Sequence, residues 1–184
     1  PKVERCPELG PPRERRRGVW SARVARCPTM EGMDPLAVLA ESRLLPLLTV
    51  RGGEDLLGLA RVLEEEGVGA LEITLRTEKG LEALKALRKS GLLLGAGTVR
   101  SPKEAEAALE AGAAFLVSPG LLEEVAALAQ ARGVPYLPGV LTPTEVERAL
   151  ALGLSALKFF PAEPFQGARV LKAYAEVFPE VRFL

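Results

Sequence analysis

The feature that most limits how this chain can fold is a repeat of two alternating patterns, about 20–27 residues per unit, that begins near residue 34. Short apolar runs occupy 44–50, 70–75, 92–96, 114–117, 134–138, 154–159 and 181–184. Amphipathic stretches fill 54–66, 78–90, 102–111, 121–132, 143–152 and 168–178. The short runs read as strands and the longer ones as helices. Ser101-Pro102 and Thr142-Pro143 each offer an N-cap followed by proline at the first helical position. Gly67, Gly91, Gly112, Gly133 and Gly153 stand just past helix ends, where a left-handed residue closes a helix. Such alternation predicts a parallel sheet covered by helices. An open doubly wound sheet and a closed (β/α)8 barrel both satisfy it. No G-x-G-x-x-G follows the first strand and helix 54–66 lacks a phosphate loop, so the barrel is the preferred fold.

Seven strands are countable and the seventh reaches Leu184, whereas such a barrel closes with eight. The expectation is a barrel truncated within strand seven, without the following helix or unit eight. Its unpaired edges would leave the isolated chain unstable or prone to aggregate.

Net charge is zero, yet residues 1–29 hold eight Lys/Arg and three Glu, a net of +5, so the remainder carries −5. This leader is rich in Pro and Arg and lacks the apolar stretch of a secretory signal, which argues for a cytoplasmic protein. Glu4, Glu8 and Glu14 count against a transit peptide. The leader reads as a disordered or non-native segment upstream of Met30 or Met33, in preference to a nucleic-acid arm, with residues 30–184 as the barrel domain. No run approaches the length of a membrane span, and the charge balance leaves no footprint for nucleic acid. Both cysteines, Cys6 and Cys27, lie in the leader, and histidine is absent throughout. The domain therefore lacks the commonest metal ligand and the commonest general base, and its chemistry must run on Lys, Glu/Asp, Tyr, Arg and hydroxyls.

Two strands carry that chemistry. In 71–76, Leu71, Ile73 and Leu75 alternate with Glu72, Thr74 and Arg76. A half-solvated antiparallel strand shows the same alternation. In a parallel barrel the apolar set faces the helices, which turns Glu72 and Arg76 toward the interior, where unpaired charge costs several kcal/mol. In 156–160, Leu157 and Phe159 point outward while Ala156, Lys158 and Phe160 point in. Lys158 either snorkels to water from a strand end or is held partly neutral by desolvation, ready to act as a nucleophile. Gly95-Ala96-Gly97-Thr98 and Ser118-Pro119-Gly120 end the third and fourth strands at the catalytic face of a barrel. The glycines are expected to leave room for a ligand, and Thr98 to offer its hydroxyl to a carboxylate. A lysine, a carboxylate and an arginine together suit enamine chemistry on a 2-keto acid without metal or cofactor: Lys158 as nucleophile, Glu72 as proton shuttle, Arg76 on the substrate carboxylate.

GVGALEITLR at 67–76, GAGTV at 95–99, SPG at 118–120 and KFFPAE at 158–163 make the chain, from about residue 34 onward, resemble the bacterial 2-keto-3-deoxy-6-phosphogluconate (KDPG) and 4-hydroxy-2-oxoglutarate (KHG) aldolase family. The resemblance implies a class I aldolase on a (β/α)8 barrel, cleaving its substrate to pyruvate and either glyceraldehyde 3-phosphate or glyoxylate. It implies Lys158 as the Schiff-base lysine, Glu72 as the proton shuttle, and Arg76, Thr98, Pro119 and Phe160 at the pyruvate end. Arg51 would meet the distal end of the substrate, and the full-length enzyme would be a homotrimer. The phosphogalactonate aldolases are the alternative within the same chemistry; a non-catalytic fragment is the alternative outside it. Two departures stand out. Gln166 occupies the first position of a pair that is usually Gly-Gly, and the glycine-rich segments of the family's phosphate site do not follow VRFL.

Overall fold

A computed structural model describes residues 34–184; the expectations about the leader, Met30, Met33 and the two cysteines fall outside the described residues. Seven helices and eight short strands follow one another in the order α1 (Pro35–Ser42), β1 (Leu47–Leu48), α2 (Leu56–Glu65), β2 (Ala70–Thr74), α3 (Lys79–Leu87), β3 (Leu93–Gly97), α4 (Pro102–Ala111), β4 (Phe115–Val117), α5 (Glu123–Arg132), β5 (Tyr136–Leu137), β6 (Gly139–Val140), α6 (Pro143–Ala151), β7 (Ala156–Phe159), α7 (Gly167–Val177) and β8 (Arg182–Phe183). All pairings are parallel, in the orders β1-β2-β3-β4-β5 and β6-β7-β8.

The eight segments are seven barrel strands. β5 and β6 are one stretch of chain divided at Pro138, which has no N–H to give the ladder. Its first half pairs with β4 and its second half with β7, and the Pro138 carbonyl accepts from the Lys158 N–H at 2.8 Å. The architecture is thus the parallel (β/α)-barrel sheet that the alternation implies. Among the described residues no pairing joins β1 to β8, and the wall is open there.

Helix boundaries follow local chemistry. Ser101 caps α4 by accepting from the Glu104 N–H, and Thr142 and Glu145 form a reciprocal capping box on α6. Four of the five expected stop glycines adopt positive φ: Gly67, Gly112, Gly133 and Gly153. Gly91 does not. It lies beyond a helix that already ended at Leu87, and its N–H instead donates to Glu64 at 2.8 Å, tying α3's exit to α2. The element missing from the sequence reading is α1, capped by Asp34 with Pro35 at its start.

Two apolar layers sandwich the sheet. Outside it, Leu71, Ile73, Leu94, Ala96 and Leu116 pack on the alanine-rich inner faces of α2 to α5. Inside, Ala70, Leu93, Phe115, Val117 and Leu137 form a second cluster, against which α1 lays Val38, Leu36 and Leu39. No helix among the described residues is long and apolar enough to cross a membrane.

Candidate active site

β2 sends Leu71 and Ile73 to the outer core and Glu72 and Thr74 to the interior, all of them buried. The Cα partner of Glu72 on β3 is Gly95, but a side chain there would collide with the Phe115 ring, which already fills that space. The Glu72 carboxyl lies instead against Gly97, where a Cβ would overlap Oε1. Both glycines are therefore used by protein side chains. This corrects the expectation that they leave room for a ligand.

From the facing wall, Lys158 of β7 brings its Nζ to 3.5 Å from Glu72 Oε1. Its side chain is 18% exposed, against 2% for the carboxylate. The contact is an ion pair without a hydrogen bond, and Oε1 is buried with no hydrogen-bond partner. Burial pushes the Glu72 carboxyl above the ordinary carboxylate range, while the Lys158 ammonium and the Arg76 guanidinium pull in the opposite direction. A carboxyl raised toward neutrality, with a free oxygen beside an amine, can both give and take a proton.

The other expected residues ring the C-terminal ends of the strands. Phe160 follows Lys158 on the same face, with Nζ 5.7 Å from its ring centroid, and is 38% exposed. Arg76 lies beyond the end of β2 and is exposed, at the rim and not inside the barrel as its alternation suggested; its Nε donates to Thr98 Oγ1 at 3.3 Å. Thr98 itself has φ 60, a left-handed conformation unusual for a β-branched residue. Pro119 is exposed, and its carbonyl occupies the space a side chain at Gly139 would need. Gly139 is the Cα partner of Lys158, so Pro119 sits one strand from the lysine. Arg51 stands apart on the β1–α2 loop: it is exposed, and among the described residues its side chain makes no hydrogen bond or ion pair with the others.

The sequence reading missed Gly139 and Tyr136, and it named Gly97 and Ser118 without their structural roles. Gly97 and Gly139 make space for Glu72 and Pro119, and Ser118 and Tyr136 share a buried hydrogen bond behind Pro119. Gly97 left a signal that was read for a ligand and not for Glu72, whereas Gly139 was not singled out. A cavity of about 330 Å3 between α5 and the start of β7 lies at the opposite end of the barrel, away from the charged pair.

A family model for KDPG and KHG aldolase matches residues 36–184. The chain belongs to that family. It is 43% identical over 148 residues to a 2-dehydro-3-deoxy-phosphogluconate aldolase of Treponema pallidum, a match covering 79% of this chain and 70% of the relative. A solved 4-hydroxy-2-oxoglutarate/2-dehydro-3-deoxyphosphogluconate aldolase from TTHB1 is 99% identical, with a TM-score of 0.81, covering 83% of this chain and 76% of that one. The KDPG aldolase of Legionella pneumophila, with pyruvate captured as a covalent carbinolamine, is 38% identical with a TM-score of 0.75, covering 82% and 74%. The aldolase family thus accounts for both the barrel and the order of its motifs. Gln166, the departure from the usual glycine, has φ 50, the backbone region that favours glycine.

Proposed function

We propose that the chain is a Schiff-base aldolase that cleaves 2-keto-3-deoxy-6-phosphogluconate to pyruvate and glyceraldehyde 3-phosphate, and 4-hydroxy-2-oxoglutarate to pyruvate and glyoxylate. The observation that carries the reading is the buried, unpartnered Glu72 Oε1 at 3.5 Å from Lys158 Nζ. Lys158 passes its ammonium proton to the adjacent Glu72 carboxylate, and the free amine adds to the keto carbon to give a carbinolamine. Glu72, holding the proton taken from the lysine, delivers it to the departing hydroxyl, and water leaves as the iminium forms. The same carboxylate then takes the proton of the C4 hydroxyl as the C3–C4 electron pair moves into the iminium. That step releases the aldehyde and leaves an enamine. Protonation at C3 and hydrolysis free pyruvate and regenerate the amine. The iminium is the electron sink, so these steps need no metal.

Arg76 and Thr98, already in contact, are suited to the substrate carboxylate, and Pro119 and Phe160 to its apolar flank. Arg51, set apart on its loop, is suited to the distal end. The carbinolamine of the Legionella relative supports the covalent step. Assembly as a homotrimer belongs to the same proposal, and sedimentation analysis tests it.

Borohydride trapping with pyruvate, read by peptide mass spectrometry, tests the chemistry. The expected result is a reduced pyruvyl adduct on Lys158 that disappears in Lys158→Ala. A folded chain that gives no adduct, or gives it on another lysine, overturns the reading.

A further inference from the structure

The peptide group that joins Val50 to Arg51 is held at both ends by side chains that the Schiff-base steps do not use. Its carbonyl, that of Val50, accepts from Thr77 Oγ1 at 2.6 Å. Its N–H, that of Arg51, donates to Glu54 Oε1 at 2.8 Å. The next N–H, that of Gly52, donates to Glu54 Oε2 at 2.7 Å. Both oxygens of one carboxylate are thereby committed to two successive backbone groups. Gly52 and Gly53 have φ 115 and 88, with nothing within 4 Å of where their side chains would stand. The left-handed turn that folds Glu54 back requires them, and crowding does not. Asp55 then caps α2 by accepting from the Gly58 N–H, so the loop runs directly into a fixed helix.

The Arg51 N–H, the Glu54 N–H and the Gly52 N–H hold the Glu54 carboxyl below the ordinary carboxylate range, and the Arg51 charge adds to them. Glu54 is therefore ionised at neutral pH, and its bonds to the loop are charge-assisted. Thr77 directly follows Arg76, so its hydroxyl ties the strand end that presents Arg51 to the turn that presents Arg76. With Glu54 spent on backbone groups, the Arg51 guanidinium has no ion-pair partner among the described residues and stays exposed to meet a ligand. We propose that Glu54 and Thr77 are positioning residues that fix Arg51 relative to Arg76, and so give the site its preference for an aldehyde bearing a distal anionic group over a neutral one. This rests on the Schiff-base reading above and on its placement of Arg51 at the distal end. Position and charge make opposite predictions here. By charge alone, removing the Glu54 carboxylate would tighten an anion at Arg51; by position, removing it weakens that anion.

The test is the aldol direction on the whole chain, joining pyruvate to glyceraldehyde 3-phosphate or to uncharged glyceraldehyde. In Glu54→Ala and in Thr77→Val the KM for glyceraldehyde 3-phosphate should rise about tenfold, the usual worth of one charge-assisted or well-placed hydrogen bond, while the KM for glyceraldehyde and the pyruvate concentration for half-maximal borohydride trapping move by less than about twofold. Thr77→Ser, which keeps the hydroxyl, should restore the parent's preference. Arg51→Ala should lose the same preference, and adding Glu54→Ala to it should cost nothing more, because Glu54 acts through Arg51. Glu64→Ala removes a carboxylate that accepts the Gly91 N–H at the far end of α2 and serves as the control. An unchanged or lowered KM for glyceraldehyde 3-phosphate in Glu54→Ala overturns the proposal, as does an equal rise in Glu64→Ala or a full further loss when Glu54→Ala is added to Arg51→Ala. A parent that traps pyruvate on Lys158 yet shows no preference for glyceraldehyde 3-phosphate, or joins pyruvate to neither aldehyde, overturns this inference alone. A parent that traps no pyruvate on Lys158 defeats the Schiff-base reading itself and takes this inference with it.

Discussion

Along β2 and β3 every residue is buried, whereas β7 is buried only at Leu157 and Phe159. The interior-facing Ala156 and Lys158 remain partly accessible, and Phe160 is exposed. Glu72 and Lys158 meet between these walls, so one member of the pair belongs to a dry surface and the other to a wet one. The dry side holds the group whose proton affinity is shifted by burial. The wet side holds the group that substrate must reach. Burial and access are competing demands, and distributing them over two strands satisfies both.

The comparison breaks most readily at Glu72. Glu72→Gln keeps the shape of the side chain and removes its proton exchange, so turnover should fall by about 10²–10⁴ while borohydride trapping persists in part. Unchanged turnover would reject the role. The same variant probes stability. In the folded chain the carboxyl takes up its proton at higher pH than in the unfolded chain, so folding binds a proton between the two values. That contribution is present below the ordinary carboxylate range and is lost as pH rises through the raised folded value. The parent should therefore melt below Glu72→Gln at neutral pH, and the two curves should converge below about pH 4. Parallel curves would mean that the carboxyl is not shifted.

Next in size is the contrast in packing. Phe115→Ala empties the space over Gly95 and should cost about 3–5 kcal/mol in denaturant unfolding. Phe160→Ala, on the wet side, should change stability by less than about 0.5 kcal/mol. Similar costs for both would erase the distinction between the walls. Gly97→Ala forces the Glu72 carboxyl from its place and should cost about 1–3 kcal/mol, with turnover falling more than pyruvate trapping. The smallest effect is expected at Gln166→Gly. Relief of the left-handed φ is partly offset by glycine's greater freedom when unfolded, for a net gain of about 0.5–1 kcal/mol.

Periodicity made most of the fold legible, because a strand covered on both faces and a helix packed on one leave different spacings. It also turned Glu72 and Lys158 inward. It did not reveal α1, whose Asp34-Pro35 start resembles those of α4 and α6 but whose end is Arg43 at φ 51, with no glycine to mark it. Nor did it show Pro138 dividing one strand between two neighbours, since a proline's effect on pairing depends on which side its missing N–H faces. The site was legible as residue types and illegible as distances. Nothing in the sequence says that Phe115 fills the gap at Gly95 while Glu72 takes the one at Gly97. Arg76 followed the strand's alternation on paper, yet β2 ends at Thr74 and leaves it on the rim. The Ser118–Tyr136 contact joins residues 18 apart on neighbouring segments, and only the parallel pairing of β4 with β5 brings them together.

The seat of Glu72 on Gly97 also has a consequence for descent. A lineage that gained a side chain at 97 would have to shorten residue 72 to make room, and an aspartate there would withdraw the carboxyl from Lys158 by one methylene. Neither position can change first without loss, and changing both still leaves the lysine short of its partner. Residues 72 and 97, coded 25 positions apart, are therefore expected to be inherited as a single character.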